Sequence, residues 1–323
     1  MRILVCSKRD LSSVVILNDL LGRLTEVPEV SIAVMLAERT RPVETVVPEL
    51  VRMKALERDL PFGVFFPLID GRSTSREAAE LALAEIMPRD EVSEALAESR
   101  PGPAARSLHT LDGLTDHFRL SYRVVRDLKE PSLLAAVRLF APDVILSVRF
   151  SFRFAPDFIA GARLAAINVH PGRLPDYAGL YPHFHSMLAG ERSHGCTVHL
   201  IDEGIDSGPV LASGEVAILP GRSAFANNLE SHLLGNRLVV DIMKGLVAGE
   251  VPTGKPHHGQ PVHQHTYPTP KEFHAFHMKG LSLIHLREYV DYLRRFGLFD
   301  EGSSLPAGAR LAESDASDWL KSA

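Results

Sequence analysis

Cysteine is scarce in this 323-residue sequence: there are two, Cys6 and Cys196, and no C-x-x-C pair. So few thiols exclude a disulfide framework and the common zinc and redox spacings, and they make a reducing, cytoplasmic setting the expectation. A dominant charge sign is also lacking. With 35 Lys and Arg against 40 Asp and Glu, the formal net charge is −5, so no global field draws the chain to nucleic acid or anionic lipid, and a small-molecule partner is expected. The N-terminus has no long apolar run; MRILVCSKRD is broken at Lys8, Arg9 and Asp10, too early for a signal peptide or a membrane span. There is no internal repeat and no low-complexity tract. At 45% hydrophobic and 23% charged residues the composition is that of a folded soluble protein, which excludes disordered, collagen-like and coiled-coil classes. The length fits roughly two domains, or one α/β domain with an appendage. Histidine alone stands out, at 15 residues.

Apolar patterning predicts a first strand at Ile3 to Cys6, a helix over Val14 to Leu24 and a second strand at Val30 to Leu36. From Arg39 to about Leu120 apolar residues recur at helical spacing among Glu and Arg, as in ETVVPELVRMKALERDL and SREAAELALAEIM. This reads as a helical insertion, with SRPGPAAR, Ser99 to Arg106, as its exposed loop. A helix ending before Pro142 precedes a buried strand, Val144 to Val148; a short helix and a turn at Gly161 precede another, Ala165 to Val169. GCTVHLI, Gly195 to Ile201, is a third buried strand, and GPVLASGEVAI reads as a hairpin-like pair. Ser223 caps the longest helix, which runs to Leu246, and a Pro, His and Gly-rich stretch past Gly249 leads to a helix near Leu286 to Phe296. Alternating strands and helices imply an α/β fold with a mostly parallel sheet.

Two features carry chemistry. In AINVHPGRLPDYAGLYP, Asn168 and His170 are two apart, so on a strand they share a face. They also stand at its carboxyl end, where open α/β sheets bind ligands. Taken alone, an N-x-H at a strand end also reads as an ordinary cap. In IDEGIDSGPV the carboxylates Asp202, Glu203 and Asp206 lie in a glycine-punctuated loop directly after the GCTVHLI strand. Alone it is a solvated turn; beside a histidine and a carboxamide, a buried carboxylate from this loop would move protons around an acyl carbon.

In this order, NVHPGRLP, GLYP, GCTVH and DEGIDSGPV resemble the folate-dependent formyltransferase family, as does the preceding PDVILSVRFSFRFAPDFI. The resemblance covers about Leu134 to Val216. It implies a Rossmann-like formyltransferase core over residues 1–250, with the helical insertion at about 40–120 and a mainly helical C-terminal extension at 251–323. It implies direct transfer of the formyl group of 10-formyltetrahydrofolate, a co-substrate, to an amine, without metal or covalent enzyme intermediate. Asn168, His170 and Asp206 take the catalytic roles. The first two would stabilise charge growing on the formyl oxygen, where one preorganised donor is typically worth about 3 kcal/mol; Asp206 would orient His170 and help shuttle the amine proton. The pterin is expected against Phe150, Ser151, Phe152, Arg153 and Phe154 and against Asp202, Glu203, Gly204 and Ile205, largely through backbone groups.

Departures from the family pattern bear on the acceptor. Gly172 and Arg173 replace its usual Ser and Leu, and Ala178 replaces a frequent Arg or Lys. The turn CSKRDLSSV has no glycine, whereas the glycinamide ribonucleotide branch uses a Gly-rich turn to hold a phosphate through backbone N–H groups. Lys8 and Arg9 are either anion ligands or two solvated charges. Residues 251–323 contain eight basic residues (Lys255, Lys271, Lys279, Arg287, Arg294, Arg295, Arg310, Lys321) and eight Asp plus Glu. That balance is a poor tRNA platform. TYPTPKEFHAFHMKGLSLI instead resembles tails of bacterial formyltransferases acting on small amines, including nucleotide-linked amino sugars. The expected partners are therefore a folate donor and a small-molecule amine, without nucleic acid or membrane; a homodimer is allowed but not required.

HHGQPVHQH gathers His257, His258, His263 and His265, without a carboxylate or Cys at ligand spacing, and no H-E-x-x-H occurs. The expectation is a polar loop and no metal. His183 and His185 are candidates for acceptor contact, and His199 for a structural hydrogen bond. Two other readings remain open. The same triad with water as acceptor would make a 10-formyltetrahydrofolate hydrolase, which releases formate without any amine; a non-catalytic folate-binding protein would release nothing.

Overall fold

A computed structural model describes residues 1–71, 76–99, 107–256 and 264–299. Its strands are β1 (Arg2–Lys8), β2 (Ser31–Ala37), β3 (Tyr122–Val125), β4 (Val144–Val148), β5 (Ala165–His170), β6 (Ser193–Leu200) and β7 (Val210–Ala217). They form one sheet in the order β3-β2-β1-β4-β5-β6-β7. The first five run parallel, while β6 is antiparallel to both β5 and β7. The fold is thus α/β with a mostly parallel sheet, as expected. β3 is an addition, a short strand after α6.

Helices cover both faces. They are α1 (Leu11–Leu24), α2 (Pro48–Lys54), α3 (Phe66–Ile69), α4 (Arg76–Ala84), α5 (Arg89–Glu98), α6 (Leu111–Phe118), α7 (Pro131–Phe140), α8 (Pro156–Ile159), α9 (Pro182–Ala189), α10 (Ala224–Val247), α11 (Pro270–Met278) and α12 (Leu286–Arg295). Alternation along the strands sets the two cores. Ile3, Val5, Val144 and Leu146 join α1 and α10 on one side; Leu4, Cys6 and Ile145 join Leu133, Val137, Phe154 and Phe158 on the other. Both cysteines are free and buried, and burial pushes the Cys196 thiol up to about 12, leaving it unreactive.

The described residues between β2 and β3 are mostly helical, with π-helical turns at Ala55–Asp59 and Pro61–Phe65. The predicted SRPGPAAR loop lies outside the described residues apart from Ser99. Helix α12 packs back on this helical segment. Tyr289 Oη–H donates to the Leu56 carbonyl (2.6 Å) and Arg294 Nη2–H to that of Leu96 (2.9 Å).

Two local expectations change. GPVLASGEVAI is one strand, β7, whose hairpin partner is β6; Gly214 makes no turn but leaves room for Leu234 of α10, 3.1 Å from where a Cβ would stand. The stretch before Leu286 holds α11, started by a capping box in which the Thr269 hydroxyl and Glu272 carboxylate satisfy each other's backbone N–H. Pro270 at its first position supports the same start. No helix among the described residues is long and apolar enough to cross a membrane.

Candidate active site

The sheet register builds the centre of the site. Asn168 on β5 is opposite Ser147 on β4 and His199 on β6, so three polar side chains form a row across adjacent strands. The Ser147 hydroxyl donates to Asn168 Oδ1 (2.7 Å). This fixes which end of the carboxamide is the oxygen and leaves Nδ2 as the donor. His199 Nδ1–H donates to the Leu200 carbonyl (2.8 Å), so its Nε2 is free to accept from Asn168 Nδ2–H at 3.1 Å. The second Nδ2–H of Asn168 is left for another acceptor.

Two residues on, His170 is 4% exposed. Its Nε2–H donates to the Tyr177 carbonyl (2.7 Å), and its Nδ1 faces Asp206 Oδ2 at 3.4 Å. Asp206 Oδ1 stands 3.6 Å from His199 Nε2, and Oδ2 accepts the Gly179 N–H at 2.8 Å. Burial alone would raise this carboxyl, but the neighbouring His170 imidazole and the Gly179 N–H outweigh it and hold it at about 2. Asp206 is therefore ionised at any physiological pH. It takes a left-handed backbone, φ +52°, as do Arg149 (+61°) and Tyr181 (+54°). Such conformations in loops around a polar centre mark a site held in place by its surroundings.

Because β6 is antiparallel, the loop after it leaves beside Ala166, where Ile201 N–H donates to the Ala166 carbonyl (2.8 Å). It then turns back over the sheet to deliver Asp206. Asp202 shapes that loop from within: its Oδ1 accepts from Gly204 N–H (3.0 Å) and the Ser207 hydroxyl (2.6 Å). Glu203 and Ile205 point to solvent. The structure joins this loop to residues 150–154 through an Arg153 guanidinium hydrogen bond to the Glu203 carbonyl. Phe150 and Phe154 stack at 5.0 Å, Phe152 tilts against Phe150, and the Ser151 hydroxyl oxygen is buried without a partner.

Residues 90–239 match the family model described as Formyl transferase. Over this segment the chain is similar to the formyl transferase family. The segment contains Ser147, Asn168, His170, His199 and Asp206. The phosphoribosylglycinamide formyltransferase of Escherichia coli is 31% identical over 98 residues, 30% of this chain and 46% of that one. The methionyl-tRNA formyltransferase of Thermus thermophilus is 35% identical over 111 residues, 34% of each chain. The chain thus spans less than half the length of these curated relatives. A solved sugar N-formyltransferase from a Shewanella species overlaps 91% of this chain and 87% of its own at 17% identity, with a TM-score of 0.46.

Around this polar centre the remaining sequence candidates take definite places. Lys8 and Arg9 are paired within the chain, Lys8 with Asp10 (3.4 Å) and Arg9 with Glu38 (2.6 Å). At the N-terminus of α1, where an anion would be favoured, Asp10 is itself the buried cap, accepting the Ser13 N–H at 2.8 Å. Arg149 Nη2 binds Asp10 (2.8 Å) and Glu57 (3.3 Å). Burial opposes ionisation of Asp10, but Arg149 and Lys8 hold it below the usual carboxylate range, whereas burial and the neighbouring Asp10 raise Glu57. Ala178 is fully buried. Arg173 faces the carboxylates of Asp176 (3.0 Å), Glu191 (3.5 Å) and Glu215 (3.8 Å). His185 turns towards the C-terminal segment, its Nε2–H donating to the Thr266 carbonyl at 3.2 Å. His183 and His232 lie behind the site; burial and the Arg149 charge push both below the usual imidazole range. Of the His-rich tract, His257, His258 and His263 lie outside the described residues. Among those described, no group of three or more His, Cys, Asp or Glu is placed to hold a metal ion.

Sequence reasoning missed the part Ser147 plays. Its only signal was a serine in the otherwise apolar strand next to that of Asn168, and its meaning depends on register.

Proposed function

We propose that the protein is an N-formyltransferase that moves the formyl group of 10-formyltetrahydrofolate directly to a primary amine of a small metabolite, with amino sugars as the substrate class. The observation that carries this reading is the row Ser147, Asn168, His199 beside the His170–Asp206 pair, all within the segment that matches the formyl transferase family. Folate supplies the activated one-carbon group. The residues fit it: the phenylalanines of 150–154 and the exposed Ile205 offer apolar contact for a flat ring, and the unpartnered Ser151 hydroxyl offers polar contact.

Each residue has a definite task. Ser147 and His199 lock the Asn168 amide so that its spare N–H is preorganised for the formyl oxygen. His170 and the ionised Asp206 hold a proton position beside it: the acceptor nitrogen bonds the formyl carbon and gives up a proton there, and as the bond from that carbon to N10 breaks the proton passes to N10 of the departing tetrahydrofolate. The Asp10–Arg149–Glu57 network fills the end of α1, which disfavours an acceptor that needs a phosphate at that helix. A near-neutral chain likewise favours a small acceptor over tRNA.

Asn168→Ala and Asp206→Ala should each lower kcat about 10²- to 10³-fold, the usual effect of removing such a group, while equilibrium binding of the folate survives. Unchanged turnover in both variants would remove the catalytic assignment.

A further inference from the structure

Residues 264–266 lie beyond the segment that matches the formyl transferase family, yet three consecutive residues there touch both loops of the site. The His265 N–H donates to the Ala178 carbonyl and the His265 carbonyl accepts the Leu180 N–H, both at 2.8 Å, forming a parallel bridge across Gly179. The approach is close enough to require glycine. Gly179 has φ +95°, and a Cβ there would lie 2.9 Å from His265 N and nearer still to its carbonyl oxygen. Gly179 in turn gives the N–H that Asp206 accepts. On the same loop, the Tyr177 carbonyl accepts from His170 Nε2, while the Tyr177 ring stacks on the His265 imidazole at 5.7 Å and 13°. His265 also stacks on His185 at 4.2 Å, and His185 binds the Thr266 carbonyl. Gln264 Nε2–H donates to the Ile205 carbonyl (3.2 Å), next to Asp206.

We propose that Gln264–Thr266 is a positioning strap for the catalytic pair: it touches no reacting atom, but sets the Tyr177 carbonyl that orients His170 and the Gly179 N–H that Asp206 accepts. The inference rests on the proposed roles of His170 and Asp206. It assigns a function in the site to a segment with no part in the family motif. Small displacements matter here because catalytic groups must be held to within about 0.5 Å. If the strap loosens, Asp206 loses a donor to its charged form and its pKa rises.

Two variants test this in the full-length protein. His265→Pro deletes the N–H that reaches Ala178, and Gln264→Ala removes an exposed side chain whose loss leaves the fold intact. The expected losses in kcat are about tenfold and about threefold respectively, the scale of one hydrogen bond. In both, the acidic limb of the kcat profile moves to higher pH. A merely structural segment would lower the thermal midpoint and the folded fraction, but leave kcat per folded molecule and the acidic limb unchanged; that result overturns the proposal. NMR of ring-labelled histidine separates the strap from the functional reading. Should the parent protein form no formamide, displaced His170 ring resonances in both variants still support the strap, and unmoved ones overturn it.

Discussion

Replacing His232 with Gln is expected to flatten the acid side of the stability profile. His232 is 1% exposed on the inner face of α10. Its Nδ1–H donates to the Asn228 carbonyl at 2.9 Å, and its Nε2 is buried without a partner. Burial and the Arg149 charge push its pKa down to about 3. The folded protein therefore keeps this ring neutral far below the unfolded value of about 6.5. Its contribution is fully present above about pH 6.5 and falls by about 1.4 kcal/mol per pH unit below that, until the folded value is reached. At about pH 5 the loss is about 2 kcal/mol, a large share of the 5–15 kcal/mol that stabilises a typical domain. His194, held at about 4 by burial, adds a parallel loss. Glu57, raised by burial, acts in the opposite sense. Comparing variant with parent cancels both. Urea unfolding followed by circular dichroism between about pH 8 and pH 5 should give a variant slope lower by about 1.4 kcal/mol per pH unit below about 6.5. Parallel curves would refute a neutral, buried His232.

Other substitutions probe the site directly. Ser147→Ala frees the Asn168 amide to rotate and should lower kcat about tenfold, with unchanged kcat contradicting the assigned orientation; steady-state kinetics alongside a thermal melt reads both. Gly172→Ala places a Cβ 2.6 Å from His170 Nε2 and 2.9 Å from the Tyr177 carbonyl oxygen. It should break that hydrogen bond and lower kcat at least about tenfold, and normal kinetics in a folded variant would show that the loop can yield without cost.

The parts of the fold visible in the sequence are those with local causes. Val144–Val148 and Ala165–His170 are short apolar runs bounded by proline or glycine, and Asn168 and His170 share a face because side chains alternate along any strand. Asp206 was visible through its glycine-flanked loop. What stayed hidden depends on pairing between distant segments. Neither the antiparallel course of β6 nor the meeting of Ser147 with His199 across Asn168 can be read from residues 21 and 31 positions away. The strap at His265 was hidden for the same reason, and its histidine was read only as one of a polar cluster. The α11 start differs: Thr269, Pro270 and Glu272 state it locally, but the surrounding Pro and His concealed it.

The central claim is that the Asn168–His170–Asp206 centre passes a formyl group directly to an amine. Its most direct test is to incubate the protein with 10-formyltetrahydrofolate labelled in the formyl carbon and a panel of primary amines that includes amino sugars, then follow the label by mass spectrometry. The account predicts label in a formamide of the acceptor, tetrahydrofolate formed in equal amount, and loss of both in Asn168→Ala. Label released as formate whether or not an amine is present, or formamide formed equally by Asn168→Ala, would contradict it.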